Sequence, residues 1–554
     1  NKLVTKKILY SSIHYTPAYL SRAIVEHTLK NLDFNQPNVK IFDPACGSGE
    51  FLVEALRQLD ALGYLGIIEI IGWDSAQTAI NTSNYLLTYE KRTIWGDRLN
   101  FQINLVEDSL SETWEKDFDF IFMNPPFVSW EHLSIKSRES LAATIGLNIK
   151  GKPNQASGFL AKAVESIKQG GIVGSILPTT ILTLDTYTNV RSDIKEICDL
   201  LLVGKLGNFI FEDALTDVSI VIAQKKHNSS LPLVIWTRNE KGAAKNALRD
   251  LRKMIATNAL AVEKNEYSIF TPETFPISKK SWRPISISEV RILKDIKIFE
   301  AKERLVPVSK IFDVKQGVRT GKNSAFIISE KDLNDLPSTE WKYFRPILNN
   351  DSIFNSKIIV KEFIWYPYDS NGIVLKSEND LATYVPSFYG DHLMKYRKDL
   401  INLARKTEAN WWHLSEHRAW LRKHEPRICS GEFGSSSSFV FDKEGKYIVE
   451  RGNAWLPKKE FQSFDYYYFY LAFFTSTIFD KLLSIYSKEL AGGKWYDLGK
   501  QYTKDIPIPN IYNDELRESK ACSRLIDLGK ELVEEERPLK SAIDEILRNQ
   551  FYPC

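Results

Sequence analysis

Cysteine is scarce in this sequence: five residues, at positions 46, 198, 429, 522 and 554, odd in number and without zinc-ligand spacing. That pattern excludes a disulfide framework and a structural zinc site, leaves no metal to expect, and fits a reducing, cytoplasmic compartment. There is no apolar run of about 18 residues and no charged-then-apolar leader, so neither a membrane span nor a secretory signal is expected. Charge of one sign is also missing in bulk. With 73 basic against 70 acidic side chains, the net charge of +3 announces no polyanionic partner by itself. No glycine-rich dinucleotide fingerprint and no phosphate-binding Gly-Lys-Ser/Thr turn occurs, which removes two common nucleotide-site classes.

What is present is a chain of 554 residues, 43% hydrophobic and 26% charged, too long for one core and long enough for about three domains. Up to about residue 225, apolar strand-like runs at 39–42, 67–73, 101–106, 118–123, 171–177 and 219–223 alternate with helical patterns. Such alternation predicts a doubly wound α/β domain over 1–225. Residues 226–290 are polar and mixed, with one helix expected at 243–256, and read as a connector. From 291 to 554 short aromatic-rich segments predict an α+β domain, closed by a helical segment over 514–550.

The most informative tetrapeptide is Asn124-Pro125-Pro126-Phe127, at the carboxyl end of the run Phe118–Met123. That run is too continuously apolar for an exposed edge, so it belongs in a buried parallel sheet, whose carboxyl rim is where open α/β sheets bind ligands. Neither proline can donate a backbone N–H. An amide oxygen, a proline carbonyl and an aromatic face together suit a planar amino group. Ahead of it, 41–49 ends a strand in the turn Asp43-Pro44-Ala45-Cys46-Gly47-Ser48-Gly49, which opens into a helix; small residues there let a ligand approach the backbone. An acid at that strand end disfavours a pyrophosphate and favours a cationic or neutral ligand. Two more strands end at Asp74 and Asp108, with Asp97 the alternative to the latter. The three aspartates form one acidic rim suited to a nucleoside.

Together with Tyr15-Thr16-Pro17 before the turn and 154–160 after the tetrapeptide, this set resembles the S-adenosylmethionine-dependent amino-methyltransferases. Its order is similar to that of the TaqI-like gamma-class adenine-N6 DNA methyltransferases of restriction-modification systems, over residues 15 to about 225. The resemblance implies a Rossmann-like class I methyltransferase domain. It implies S-adenosyl-L-methionine held by Tyr15, Thr16, Asp43, Pro44, Ala45, Cys46, Gly47, Gly49, Asp74, Asp108 and Pro126. Asn124 and Pro125 would accept both hydrogens of an adenine amine, with Pro126 and Phe127 completing the catalytic turn. The adenine, flipped out of the duplex, would stack on Phe127 with Phe211, or else Phe209, on its other face. Cys46 lies in the cofactor turn, the wrong place for a nucleophile attacking cytosine C5.

The long second half resembles a target-recognition region, which implies double-stranded DNA as partner, with contacts from Arg319, Lys322, Trp411, Trp412, Arg418 and Lys494. A cognate restriction endonuclease, a monomeric state and a role in restriction-modification or phage defence complete the expectation. Two alternatives stand beside it. One is the methyltransferase portion of a fused restriction-methylation enzyme whose nuclease lies upstream of Asn1; the other is an RNA or protein-glutamine amino-methyltransferase.

Overall fold

The computed structural model describes residues 16–30, 32–146, 151–211, 216–225, 230–257, 259–277, 281–354, 356–458, 463–490, 495–534 and 539–552, the side chain of Ile255 excepted. Two compact units emerge where length alone led to about three: one runs to Val290, the other begins at Arg291.

The first unit is built on strands β1 (Asn38–Asp43), β2 (Ile67–Asp74), β3 (Leu99–Leu105), β4 (Phe118–Met123), β5 (Ile167–Pro178), β6 (Asp199–Gly207), β7 (Val218–Gln224), β8 (Leu233–Thr237), β9 (Ala261–Glu263) and β10 (Tyr267–Phe270). They form one ten-stranded sheet in the order β3-β2-β1-β4-β5-β7-β6-β8-β10-β9. Strands β1 to β5 run parallel to their neighbours, and β7 is reversed between β5 and β6. The helices are α1 (Ala18–Leu29), α2 (Glu50–Ala61), α3 (Gln77–Glu90), α4 (Ile135–Ile145), α5 (Ala156–Ser166), the short α6 (Thr180–Thr183), α7 (Thr188–Ile197) and α8 (Ala243–Thr257).

Helices cover both faces, which is why β4 is apolar without alternation: every one of its residues is buried. Its side chains still alternate. Phe120 and Phe122 point into the core shared with α1, α2, α3 and α8, while Ile121 and Met123 join the core of α4, α5, α6 and α7. The sheet does not stop at residue 225. Strand β8 pairs parallel to β6, β10 and β9 follow antiparallel, and α8 packs on α1, so the segment read as a connector extends the first unit. Short strands of three to five residues, separated by charged turns, hid that continuation.

Buried in α1, His27 is 2% exposed, and burial first, then Lys30, pushes its pKa down to about 3. The folded state therefore keeps the imidazole neutral while the unfolded chain protonates it near 6.5. Its contribution to stability is complete above about pH 6.5 and is lost as pH falls toward 3, by about 1.4 kcal/mol per unit. A melting series from pH 7 to 4 should show this loss, and His27→Leu should flatten it. Equal slopes in both proteins would contradict the assignment.

The second unit is α+β, as its composition led one to expect. One antiparallel four-stranded sheet contains Phe312–Gln316, Gly452–Pro457, Arg427–Gly431 and Phe439–Asp442. Another joins Ile327–Ser329, Glu362–Trp365, Phe344–Leu348 and Ile448–Val449. In the helix Phe464–Phe474 every residue from Tyr467 on is buried, in keeping with a run that is apolar on all sides. The terminal helices Lys520–Glu534 and Lys540–Gln550 lie where composition placed a helical end. Arg427 pairs with Asp442, both fully buried, and with Arg345 it holds the carbonyls of the 445–447 turn. The acid-x-lysine at 444–446 is thus an arginine-braced turn.

Candidate active site

Strand β1 delivers Asp43 to the carboxyl edge of the sheet, and the chain turns at once. The Asp43 carboxylate accepts the Ala45 N–H at 3.0 Å, and the Cys46 N–H donates to the Trp73 carbonyl at 2.8 Å. Neighbouring Asp74, at the end of β2, accepts the Gly47 N–H at 2.9 Å and the Ala76 N–H at 2.8 Å. The Gly47 carbonyl accepts from the Ser83 hydroxyl at 2.8 Å, and the Pro44 carbonyl from the buried Ser109 hydroxyl at 2.7 Å. The three strand ends are thus laced together through the turn. Gly47 has φ +54°, and a Cβ placed there would meet nothing within 4 Å: its face is open. Gly49, φ +81°, precedes α2 without a side-chain cap. The first N–H groups of α2 therefore have no cap from that residue.

Burial holds Asp43 well above the ordinary carboxylate range, with the Asp74 charge adding to it. Cys46 is likewise pushed up by burial, and by Asp43 and Asp74, so it is a thiol and not a nucleophile. A site presenting two adjacent carboxyl groups and small residues fits a cationic ligand that lies close to the backbone. S-adenosylmethionine, with its sulfonium and ammonium charges, meets that description.

Asp108 follows the carboxyl end of β3, where its side chain accepts the Leu110 N–H at 3.1 Å. Lys162 of α5 secures the same loop by donating to the Leu110 carbonyl at 2.8 Å. Asp97 sits in a short turn, Gly96–Arg98, before β3 and so at the opposite edge of the sheet. The long interval between Asp74 and Asp108 is helical: α3 continues through Lys91–Trp95 into that turn.

At the end of β4, the Asn124 amide nitrogen donates to the Thr16 hydroxyl at 3.2 Å across 108 residues of sequence. Sequence resemblance assigned Thr16 to the cofactor, and its hydroxyl also meets the Asn124 amide. Tyr15 lies outside the described residues. Replacing Thr16 by Val removes the hydroxyl that meets the Asn124 amide, so turnover is expected to fall about tenfold while cofactor affinity holds, and Thr16→Ser should restore it. Steady-state kinetics with separate cofactor titrations checks this; a tenfold loss of cofactor affinity instead would return Thr16 to the cofactor.

Pro125 is buried, and Pro126 and Phe127 are half-buried. Beyond them the Val128 carbonyl accepts the Gln155 N–H at 2.9 Å, so the 154–160 segment braces the turn. Phe127 meets Phe211 edge to face, centroids 6.3 Å apart and planes at 64°. Phe209 is 40% exposed. Two rings sandwiching a base stand about 7 Å apart and parallel. Phe127 and Phe211 therefore pair as expected, but a base enters between them only after one ring turns.

In the second unit the expected contacts divide sharply. Trp411 and Trp412 are buried, at 0% and 1% exposure, and this overturns their reading as DNA contacts. Both belong to the core: the Trp412 indole donates to the Leu375 carbonyl at 2.9 Å, and its own carbonyl accepts from Trp365. The basic residues around them made a core pair resemble a nucleic-acid surface. Arg418 is spent on the Gly317 carbonyl, Gln316 and Glu416, and Lys322 pairs with Asp399 over the Tyr396 ring. Arg319 is exposed, and Lys494 lies outside the described residues. Among the described residues no helix is long and apolar enough to cross a membrane.

A parallel sheet closed by a reversed seventh strand, helices on both faces and ligand groups at the carboxyl ends of β1 to β4 define a class I methyltransferase fold. The model of the N-6 DNA methylase family matches residues 10–269. The chain is 22% identical to the Type II methyltransferase M.AccI of Acinetobacter calcoaceticus over 56% of its own length and 52% of that protein's. It is 19% identical to the Type II restriction enzyme and methyltransferase RM.Eco57I of Escherichia coli, over 92% of this chain and 58% of that one. Among solved structures, the Type IIL restriction-modification enzyme MmeI in complex with DNA shares the fold at a TM-score of 0.59, with 12% identity over 91% of this chain and 71% of MmeI. The chain spans about half the length of the curated relatives it matches.

Proposed function

We propose that the chain is a site-specific, adenine-specific DNA methyltransferase that transfers a methyl group from S-adenosylmethionine to the N6 amine of an adenine flipped out of duplex DNA. The first unit is the catalytic domain in this reading, the second the target-recognition domain. The observation that carries it is the Asn124 amide, oriented by Thr16 at the end of β4, beside Phe127 and the aspartate-laced glycine turn.

An exocyclic adenine amine is a poor nucleophile because its lone pair is delocalised into the ring. Asn124 Oδ1 and the Pro125 carbonyl accept its two hydrogens, which localises the lone pair on nitrogen and aims it out of the ring plane. Bound S-adenosylmethionine supplies an electrophilic methyl. Asp43, Asp74 and the Gly47–Gly49 backbone hold and orient it, and Phe127 fixes the plane of the base. Positioning and electrostatics do the catalysis, with no covalent enzyme intermediate.

Labelled methyl transfer into duplex DNA, RNA and protein, offered separately, tests the substrate. Label in duplex DNA is expected; label confined to RNA or protein refutes the reading. The motif order favours the gamma class, and work in the cytoplasm as a monomer beside a cognate restriction endonuclease fits the family. A second reading has its own observation: 92% of this chain aligns with 58% of a fused restriction enzyme and methyltransferase. In that case the chain is the modification portion of a longer polypeptide, which the mass of the natural protein in its source cell would reveal.

A further inference from the structure

The strands that prolong the sheet carry α8 onto α1, and the two helices with α2 enclose a cleft of about 420 Å³ that the chemistry above does not use. Five cations line it: Arg22 from α1, Arg57 from α2, and Lys245, Arg249 and Arg252 from α8. The carboxylates that face them are Glu26, Glu54 and Asp250, so positive charge remains in excess. Much of that charge is poorly spent. Arg57 approaches Glu54, and Arg249 approaches Asp250, only to 3.9 Å, and both arginine side chains are more than half exposed.

Position gives the cleft its meaning. Helix α1 starts two residues after Thr16, whose hydroxyl touches Asn124, and Arg22 lies four residues into it; two extended residues and about 6 Å of helical rise keep it within about 13 Å of Thr16. At about 3.4 Å per nucleotide along a duplex axis, that is at most about four nucleotides. A strand whose adenine reaches Asn124 thus has backbone within reach of the cleft.

We propose that the α1–α2–α8 cleft is a phosphodiester-binding site that holds the DNA backbone beside the flipped adenine. This rests on the DNA reading above. Arginine forks and a lysine suit phosphate oxygens without reading bases, so the cleft adds affinity and register, not sequence preference.

The double variant Lys245→Gln/Arg249→Gln, on the outward face of α8, tests it, with Lys195→Gln on exposed α7 as control. Binding of a fluorescent duplex of arbitrary sequence is measured across a salt series, with cofactor affinity and melting temperature alongside. The double variant is expected to bind about tenfold more weakly near 0.1 M salt, with a salt slope shallower by about 1 to 2, while cofactor affinity and melting are unchanged. An unchanged slope in the double variant, with wild-type methylation of DNA intact, overturns the site but not the function. An equal loss in the Lys195→Gln control also overturns the site, because it reports bulk charge alone. Lost binding of polyglutamate with duplex binding intact assigns the cleft to an acidic protein segment and overturns it too. If the wild-type protein neither binds nor methylates DNA, both readings fall together.

Discussion

Asn124→Ala is expected to lower methyl transfer by about three orders of magnitude while cofactor affinity stays within a few-fold of wild type. The magnitude follows from what the side chain does. In the proposed reaction its oxygen accepts a hydrogen from an amine whose nucleophilicity develops only as its lone pair leaves conjugation, and removing one preorganised partner of a developing charge costs about 10² to 10³ in turnover. Loss of the aligned geometry adds to that. Thr16 already meets the amide nitrogen, so alanine also removes the strut that ties the start of α1 to the end of β4. Single-turnover rates under saturating cofactor give the first number and equilibrium dialysis the second. A variant retaining a tenth of the wild-type rate would remove Asn124 from the mechanism.

Asp74→Ala reverses the pattern, with the damage in cofactor binding. Its carboxylate accepts two backbone N–H groups, from Gly47 and Ala76, and so fixes the open turn against the head of α3. Hydrogen bonds to a charged acceptor contribute about 1.5 to 3 kcal/mol each. Losing both should raise the cofactor dissociation constant at least about a hundredfold, and whatever turnover remains should recover at high cofactor concentration. Asn, which keeps one acceptor oxygen, should fall between Asp and Ala. Calorimetric titration checks the series; equal affinities in Asp74→Ala and wild type would contradict the role.

The first unit was legible in the sequence because its signals are local and physical. A buried parallel strand must be largely apolar, as Phe118–Met123 is apart from Asp119, which Lys168 pairs, and a chain that turns sharply under a ligand needs glycines, as at 47 and 49. Acids that follow strands fall on one rim of a parallel sheet, so Asp43, Asp74 and Asp108 were read from spacing alone. The lacing was not legible. Ser83 of α3 and Ser109 of the loop after β3 reach Gly47 and Pro44 from elsewhere in the chain, and a serine hydroxyl leaves no periodic mark.

The extension β8 to β10 failed for the opposite reason, since three short strands carry too few residues for alternation to show. Trp411 and Trp412 misled because a basic, aromatic segment looks the same whether its rings stack on bases or on one another. Only burial, here almost complete, separates the two. Phe211 was read as the ring on the far face of the base; it lies against Phe127, and the tilt of the two rings belongs to packing that no motif encodes.

The central claim is that Asn124 serves the N6 amine of adenine in DNA. Its most direct test is nucleoside mass spectrometry of unmodified duplex DNA incubated with the protein and S-adenosylmethionine carrying a deuterated methyl group. The account predicts deuterated N6-methyladenine with wild type and none with Asn124→Ala. Label in N4-methylcytosine or 5-methylcytosine, or no label in DNA at all, would contradict it.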